Sequence, residues 1–174
     1  MHMKNFLVFI ICCGMLGSIA NATPLGRLEY ADLTSINGQP AICLPGHAKA
    51  PFAVGWVILA ESFARNTGIW GVSLKEGATP VVLNPGECFS YGDVPAAYEL
   101  VRLGRNEHPV VLETNKTYSF LLQSASQSKD VYNVVFCIGE GRSGQFEFYK
   151  RSPSSSREQA ALPCKASGSN SASE

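Results

Sequence analysis

The chain has 174 residues, and its 14 Lys+Arg are balanced by 14 Asp+Glu. No basic surplus is available to hold a phosphate backbone, which argues against a nucleic-acid partner. With 45% hydrophobic and 16% charged residues, the composition is that of a globular protein rather than a disordered one, and the length suits one domain.

The first 22 residues read as an export signal. Lys4 gives a positive start, residues 6–11 (FLVFII) open an apolar run that continues to Leu16, and Ala20-Asn21-Ala22 is a small-residue cleavage site. The run is short of the ~20 residues a membrane-spanning helix needs. Lipidation requires a small residue before the modified cysteine, whereas Cys12 follows Ile11 and Cys13 follows Cys12. The expectation is a soluble periplasmic protein beginning at Thr23, without stable membrane insertion after cleavage. The mature chain then has 174 − 22 = 152 residues and 6 − 2 = 4 cysteines: Cys43, Cys88, Cys137 and Cys164. An even count in an exported chain reads as disulfides, for which three pairings exist. The spacings of 45, 49 and 27 residues contain no C-x-x-C pair, so zinc is a poor competitor.

Strand signals follow in order. Leu28, Tyr30 and Leu33 lie in a stretch that can extend. Residues 41–44 (AICL) stop at Pro45-Gly46. Residues 52–60 (FAVGWVILA) are apolar on both faces, as in a central strand, which places Trp56 in the core. Residues 50–65 are the best helical candidate, but their β-branched and aromatic content and Gly55 favour a strand. Residues 68–74 alternate, with Trp70, Val72 and Leu74 on one face. Residues 80–83 run into the turn Asn84-Pro85-Gly86. Residues 98–103 and 110–112 come next, and then Tyr118, Phe120 and Leu122 alternate with Ser119, Leu121 and Gln123. Residues 131–138 alternate less cleanly, and Phe146 and Phe148 share a face. This pattern predicts an antiparallel β-sandwich, immunoglobulin-like, of about seven to nine short strands over residues 23–151. Residues 152–174, with eight serines in 23 residues and one leucine, predict a flexible tail that Cys164 can pin.

No catalytic chemistry assembles from the residues. His47 and His108 stand beside loop signals with no G-x-S-x-G, no phosphate-binding glycine loop and no zinc spacing to serve. The carboxylate pairs Glu29/Asp32 and Glu76/Glu87 read as solvated rim, and Asn115-Lys116-Thr117 as the turn before a strand. The expectation is a protein with no catalytic residues, no metal and no cofactor. Residues 90–105 carry Tyr91, Tyr98, Arg102 and Arg105, types that dominate interface energetics, placed near turn signals where binding residues concentrate. They are the candidate partner contacts; the competing reading is that they complete the sandwich.

One ordered set of motifs is more specific. Gln39-Pro40-Ala41-Ile42-Cys43 precedes Pro85-Gly86-Glu87-Cys88-Phe89-Ser90-Tyr91-Gly92, then Lys116-Thr117-Tyr118-Ser119-Phe120 and Tyr132-Asn133-Val134-Val135-Phe136-Cys137. Over residues 28–138 this resembles a family of small bacterial periplasmic proteins described as type VI secretion immunity lipoproteins. The resemblance implies a β-sandwich without catalysis that binds and neutralises a toxin effector delivered by a competing cell. It implies a Cys43–Cys88 pair, and with all four cysteines oxidised Cys137 then joins Cys164. This chain departs from the family in having no lipidation site. The alternatives are an envelope enzyme with an unrecognised site and a periplasmic inhibitor of lysozyme type.

Overall fold

A computed structural model describes residues 27–64, 67–101, 108–126, 130–141, 143–151 and 164. The export signal and nearly all of the serine-rich tail lie outside the described residues.

The described chain forms twelve strands: β1 (Leu28–Tyr30), β2 (Asp32–Ile36), β3 (Gln39–Cys43), β4 (Phe52–Glu61), β5 (Gly68–Leu74), β6 (Val82–Leu83), β7 (Cys88–Ser90), β8 (Tyr98–Leu100), β9 (His108–Pro109), β10 (Thr117–Ser124), β11 (Val131–Glu140) and β12 (Phe146–Arg151). They make two sheets. The large sheet runs β1-β11-β10-β4-β5-β8, with β12 beside β11, β6 beside β4 and β9 beside β5; the small sheet is β2-β3-β7. The expected all-β sandwich is present. The strand count exceeds the expected seven to nine because two- and three-residue strands close the sheet margins. Pairing is also mixed, since β1–β11 and β5–β9 are parallel. The stretch read as one strand from Leu28 is two, in different sheets. The chain changes sheet at the fully buried Ala31, whose N–H still donates to the Asn133 carbonyl at 2.9 Å.

The period-two pattern decides which side faces in. In β10, Tyr118, Phe120 and Leu122 are fully buried while Ser119, Leu121 and Gln123 are half-buried. They meet Val57 and Leu59 of β4, Val134 and Phe136 of β11, and Ile42 and Phe89 of the small sheet. Each large apolar side chain so enclosed contributes about 1.5–3 kcal/mol. The less clean alternation of β11 has a cause: Cys137 and Gly139, on the side away from the core, are covered by Cys164 and the Tyr149 ring, so both faces of that strand end are buried.

Trp56 is not in the core. It is 37% exposed. Gln123 pairs with Trp56 but Ser124 pairs with Val54, so Gly55 is an extra residue in β4, a bulge. The bulge shifts the alternation by one. Phe52 and Val54 before it and Val57 and Leu59 after it all face inward, and Trp56 is turned out.

The disulfides are Cys43–Cys88, the pair the resemblance implied, and Cys137–Cys164, the pair that follows when all four cysteines are oxidised. Cys43 and Cys88 are direct cross-strand partners in β3 and β7, so the first bridge lies within the small sheet. It does not join the two sheets as the immunoglobulin-domain bridge does. A buried tyrosine adds a further tie. Tyr118, at the start of β10, donates to the Val111 carbonyl at 3.1 Å and accepts from the Glu113 N–H at 2.8 Å, five to seven residues upstream. This is the arrangement of a tyrosine corner.

Candidate functional site

The segment expected to bear the partner contacts divides. Tyr98 is only 2% exposed. Its hydroxyl donates to the Val54 carbonyl at 2.6 Å and accepts from the Val81 N–H at 3.0 Å, and its ring meets Phe89 edge-on at 6.0 Å. Tyr98 therefore cannot touch a partner, and the expectation that it does is corrected: β8 pairs with β5 so that Tyr98, opposite Leu74, points between the sheets. Burial raises its phenol pKa. Tyr91 is half-buried, packs edge-on against Trp70 at 5.1 Å and donates to the Val110 carbonyl at 3.3 Å. It closes the core beside β9 and offers a partner only part of its ring. Arg102 and Arg105 lie outside the described residues.

The other candidates are dispersed. His47 is exposed in the turn after β3, and His108 is exposed with Nδ1 3.1 Å from the Pro109 carbonyl oxygen. Glu29 and Asp32 do not act together. Glu29 accepts from the Tyr132 phenol and from Arg27 at 3.0 Å, which holds its carboxyl below the usual range, while Asp32 pairs with Lys150 at 2.9 Å. Glu87 accepts from the N–H of Asn84 at 2.8 Å, and from its amide as well, locking the Asn84-Pro85-Gly86 turn. Tyr132 has its phenol pushed up to about 12, first by burial and then by the bond to Glu29. Among the described residues no group of three or more His, Cys, Asp or Glu is placed to hold a metal.

The large sheet instead presents a surface. The pairings align Trp56 with Gln123 and Ser73, Ile58 with Leu121 and Gly71, and Ala60 with Ser119 and Ile69 on the side away from the core. Across β11, Val131, Asn133 and Val135 continue these rows, and Leu28 and Tyr30 end two of them on β1. Leu28 is 66% and Tyr30 58% exposed, and Ile58, Leu121, Val131 and Val135 are half-buried. Gly71 matters to the centre of this face. A Cβ there would lie 3.2 Å from a Val101 methyl and 3.3 Å from the Ile58 side chain, so the missing side chain lets Val101 and Ile58 close over it. The face is thus a ridge of Leu121, Ile58 and Val101 flanked by an indole, on a sheet held rigid by hydrogen bonding on both sides of β4.

No protein-family model, curated protein or solved structure matches the chain.

The local sequence pattern places Trp56 in the core and does not mark the apolar ridge. The signal for Trp56 was present: a glycine inside a strand pattern marks a bulge, and a bulge inverts the faces beyond it. Lateral alignment of Ile58 with Leu121 depends on strand register, which no local pattern supplies.

Proposed function

We propose that the protein is an exported, non-catalytic binding domain that acts by stoichiometric capture of another protein, a toxin effector delivered into the periplasm by a competing cell. The observation that carries the reading is the solvent side of the large sheet, where Trp56 stands exposed beside Ile58 and Leu121. An indole on a rigid apolar patch is the chemistry of an interface anchor, and contiguous apolar surface on a folded domain marks an interaction site. Two disulfides fit an oxidising compartment and fix the scaffold that displays the patch. Among the described residues no helix is long and apolar enough to cross a membrane.

The test is co-expression with periplasmically targeted effectors encoded beside this gene, scored by survival and by complex formation. Trp56→Ala should weaken the complex by about 30-fold or more, the loss expected of an interface anchor. Because Trp56 lies outside the core, the melting temperature should move little. Unchanged affinity with a folded variant removes this face from the interface, and failure to neutralise any such effector defeats the immunity reading itself.

A further inference from the structure

Among the described residues β2 pairs only with β3 and β12 only with β11, and the two strands lie side by side where the sheets meet. Their Cα atoms come within 8 Å of each other. A strand laid between two others needs about 9.5 Å, twice the hydrogen-bonding spacing of ~4.7–4.9 Å, so this seam has room for a side chain but not for a main chain. Along it runs a cleft of about 440 Å³ lined by residues 33–35 and 145–149.

The floor is apolar and fixed. Leu33 and Phe148 are half-buried against the core, and the Phe148 ring meets Phe136 edge-on at 5.9 Å. Phe146 stands beside them, 38% exposed, and Tyr149 is half-buried. Glu147 is the only acidic or basic side chain among the described lining residues. The Tyr149 phenol donates to Glu147 Oε2 and so orients the carboxylate. Gly141 makes room for the other oxygen: an added Cβ there would stand 2.7 Å from Glu147 Oε1 and against the Gln145 amide. A carboxylate offers about four lone-pair sites, so capacity for a forked donor remains. Glu140, exposed, is the cross-strand partner of Phe146 and adds a second negative charge beside the cleft. Asp32 and Lys150, exposed and outside the lining, pair with each other at 2.9 Å and leave that balance unchanged. Among the described residues neither Glu140 nor Glu147 forms an ion pair.

We propose that this cleft binds an arginine side chain presented by the protein partner, its aliphatic stem on Leu33 and Phe148 and its guanidinium at Glu147. A long side chain suits a seam too narrow for a strand. An apolar stem with a charged head matches an apolar floor with a carboxylate. Arginine is favoured over lysine because its guanidinium stacks on aromatic rings, is weakly hydrated, and meets a carboxylate with two parallel N–H donors. The inference rests on the binding-protein reading only for making the arginine a partner's.

The probe is Nα-acetyl-arginine amide, compared with its citrulline counterpart, which keeps the shape and lacks the charge. Titrated into the exported protein, the arginine compound should shift the backbone amide resonances of Leu33, Ser35, Glu147 and Phe148 and saturate with a Kd of about a few mM or below. The citrulline compound should bind at least about tenfold more weakly. Glu147→Gln should weaken the arginine compound by about tenfold; if that variant fails to fold, Phe146→Ala, at an exposed position, serves, with an expected loss of about two- to fivefold. Equal binding of the two compounds, or no shift at those amides at about ten times the expected Kd, overturns the proposal. Arg142 and Arg157 lie outside the described residues, and binding that appears only when both are replaced by glutamine overturns it in favour of an arginine of this chain. The titration needs no toxin, so a cleft that binds the arginine compound in a protein that neutralises nothing separates this inference from the proposed function.

Discussion

Replacing Tyr98 by phenylalanine isolates the two hydrogen bonds that tie β8 to the start of β4 and to the segment leading into β6. The ring volume is kept, so no cavity forms, and only the hydroxyl is lost. That hydroxyl serves the carbonyl of the fully buried Val54 at 2.6 Å and the N–H of the half-buried Val81 at 3.0 Å. A buried main-chain group left unpaired costs about 1–3 kcal/mol. The Val54 carbonyl should bear most of that penalty and the Val81 N–H, nearer solvent, less, for a total of about 2–3 kcal/mol. For a domain of this size that corresponds to a fall in Tm of roughly 6–15 °C. The assay is urea denaturation followed by fluorescence, with an unchanged m value expected and a lowered midpoint. Tyr91→Phe is the control: its single bond is 3.3 Å and its ring half-buried, so its loss should stay below about 1 kcal/mol. A Tyr98→Phe loss under about 0.5 kcal/mol, the range of ordinary surface changes, refutes the reasoning.

Two further expectations concern backbone packing and pH. At Gly55 an added Cβ would stand 2.7 Å from the Ala125 Cα, 2.8 Å from its nitrogen and 2.9 Å from the Ser124 carbonyl oxygen, all main chain, so Gly55→Ala should destabilise by roughly 1–3 kcal/mol; a variant as stable as the parent removes the bulge argument. Tyr132 carries a folded-state pKa raised from the ordinary 10 to about 12. The fold favours its neutral form, so that contribution, of order 1–2 kcal/mol, is whole below pH 10 and disappears as pH rises from about 10 through 12. Stability measured from pH 9 to 12 should fall more steeply in the parent than in Tyr132→Phe, and equal slopes contradict it.

The all-β class was legible because alternation in β10 and turn residues between runs are local signals, and both appear where read. Tyr98 shows the limit. A tyrosine near a turn has the same local signature whether it anchors an interface or closes a core, and only its position opposite Leu74 in β5 makes it internal. Asn37-Gly38 is a different case, since that dipeptide is itself a hairpin signal and marks β2 and β3 as partners. What no sequence pattern carried is adjacency: that β1 lies beside β11, that β12 borders β2 across a cleft, and that Ile58 sits beside Leu121. Such contacts join residues scores of positions apart.

The Cys137–Cys164 bridge makes residues 137–164 a covalent ring that contains all of β12. A cut anywhere in residues 152–163 would therefore leave two polypeptides still joined, running as one species until a reductant is added. Ending the chain at Arg151, the margin suggested by the serine-rich composition beyond it, has the opposite result: it removes Cys164, which covers Cys137, and leaves that cysteine as a lone thiol towards the end of β11. The bridge thus reaches thirteen residues past β12, the last strand among the described residues.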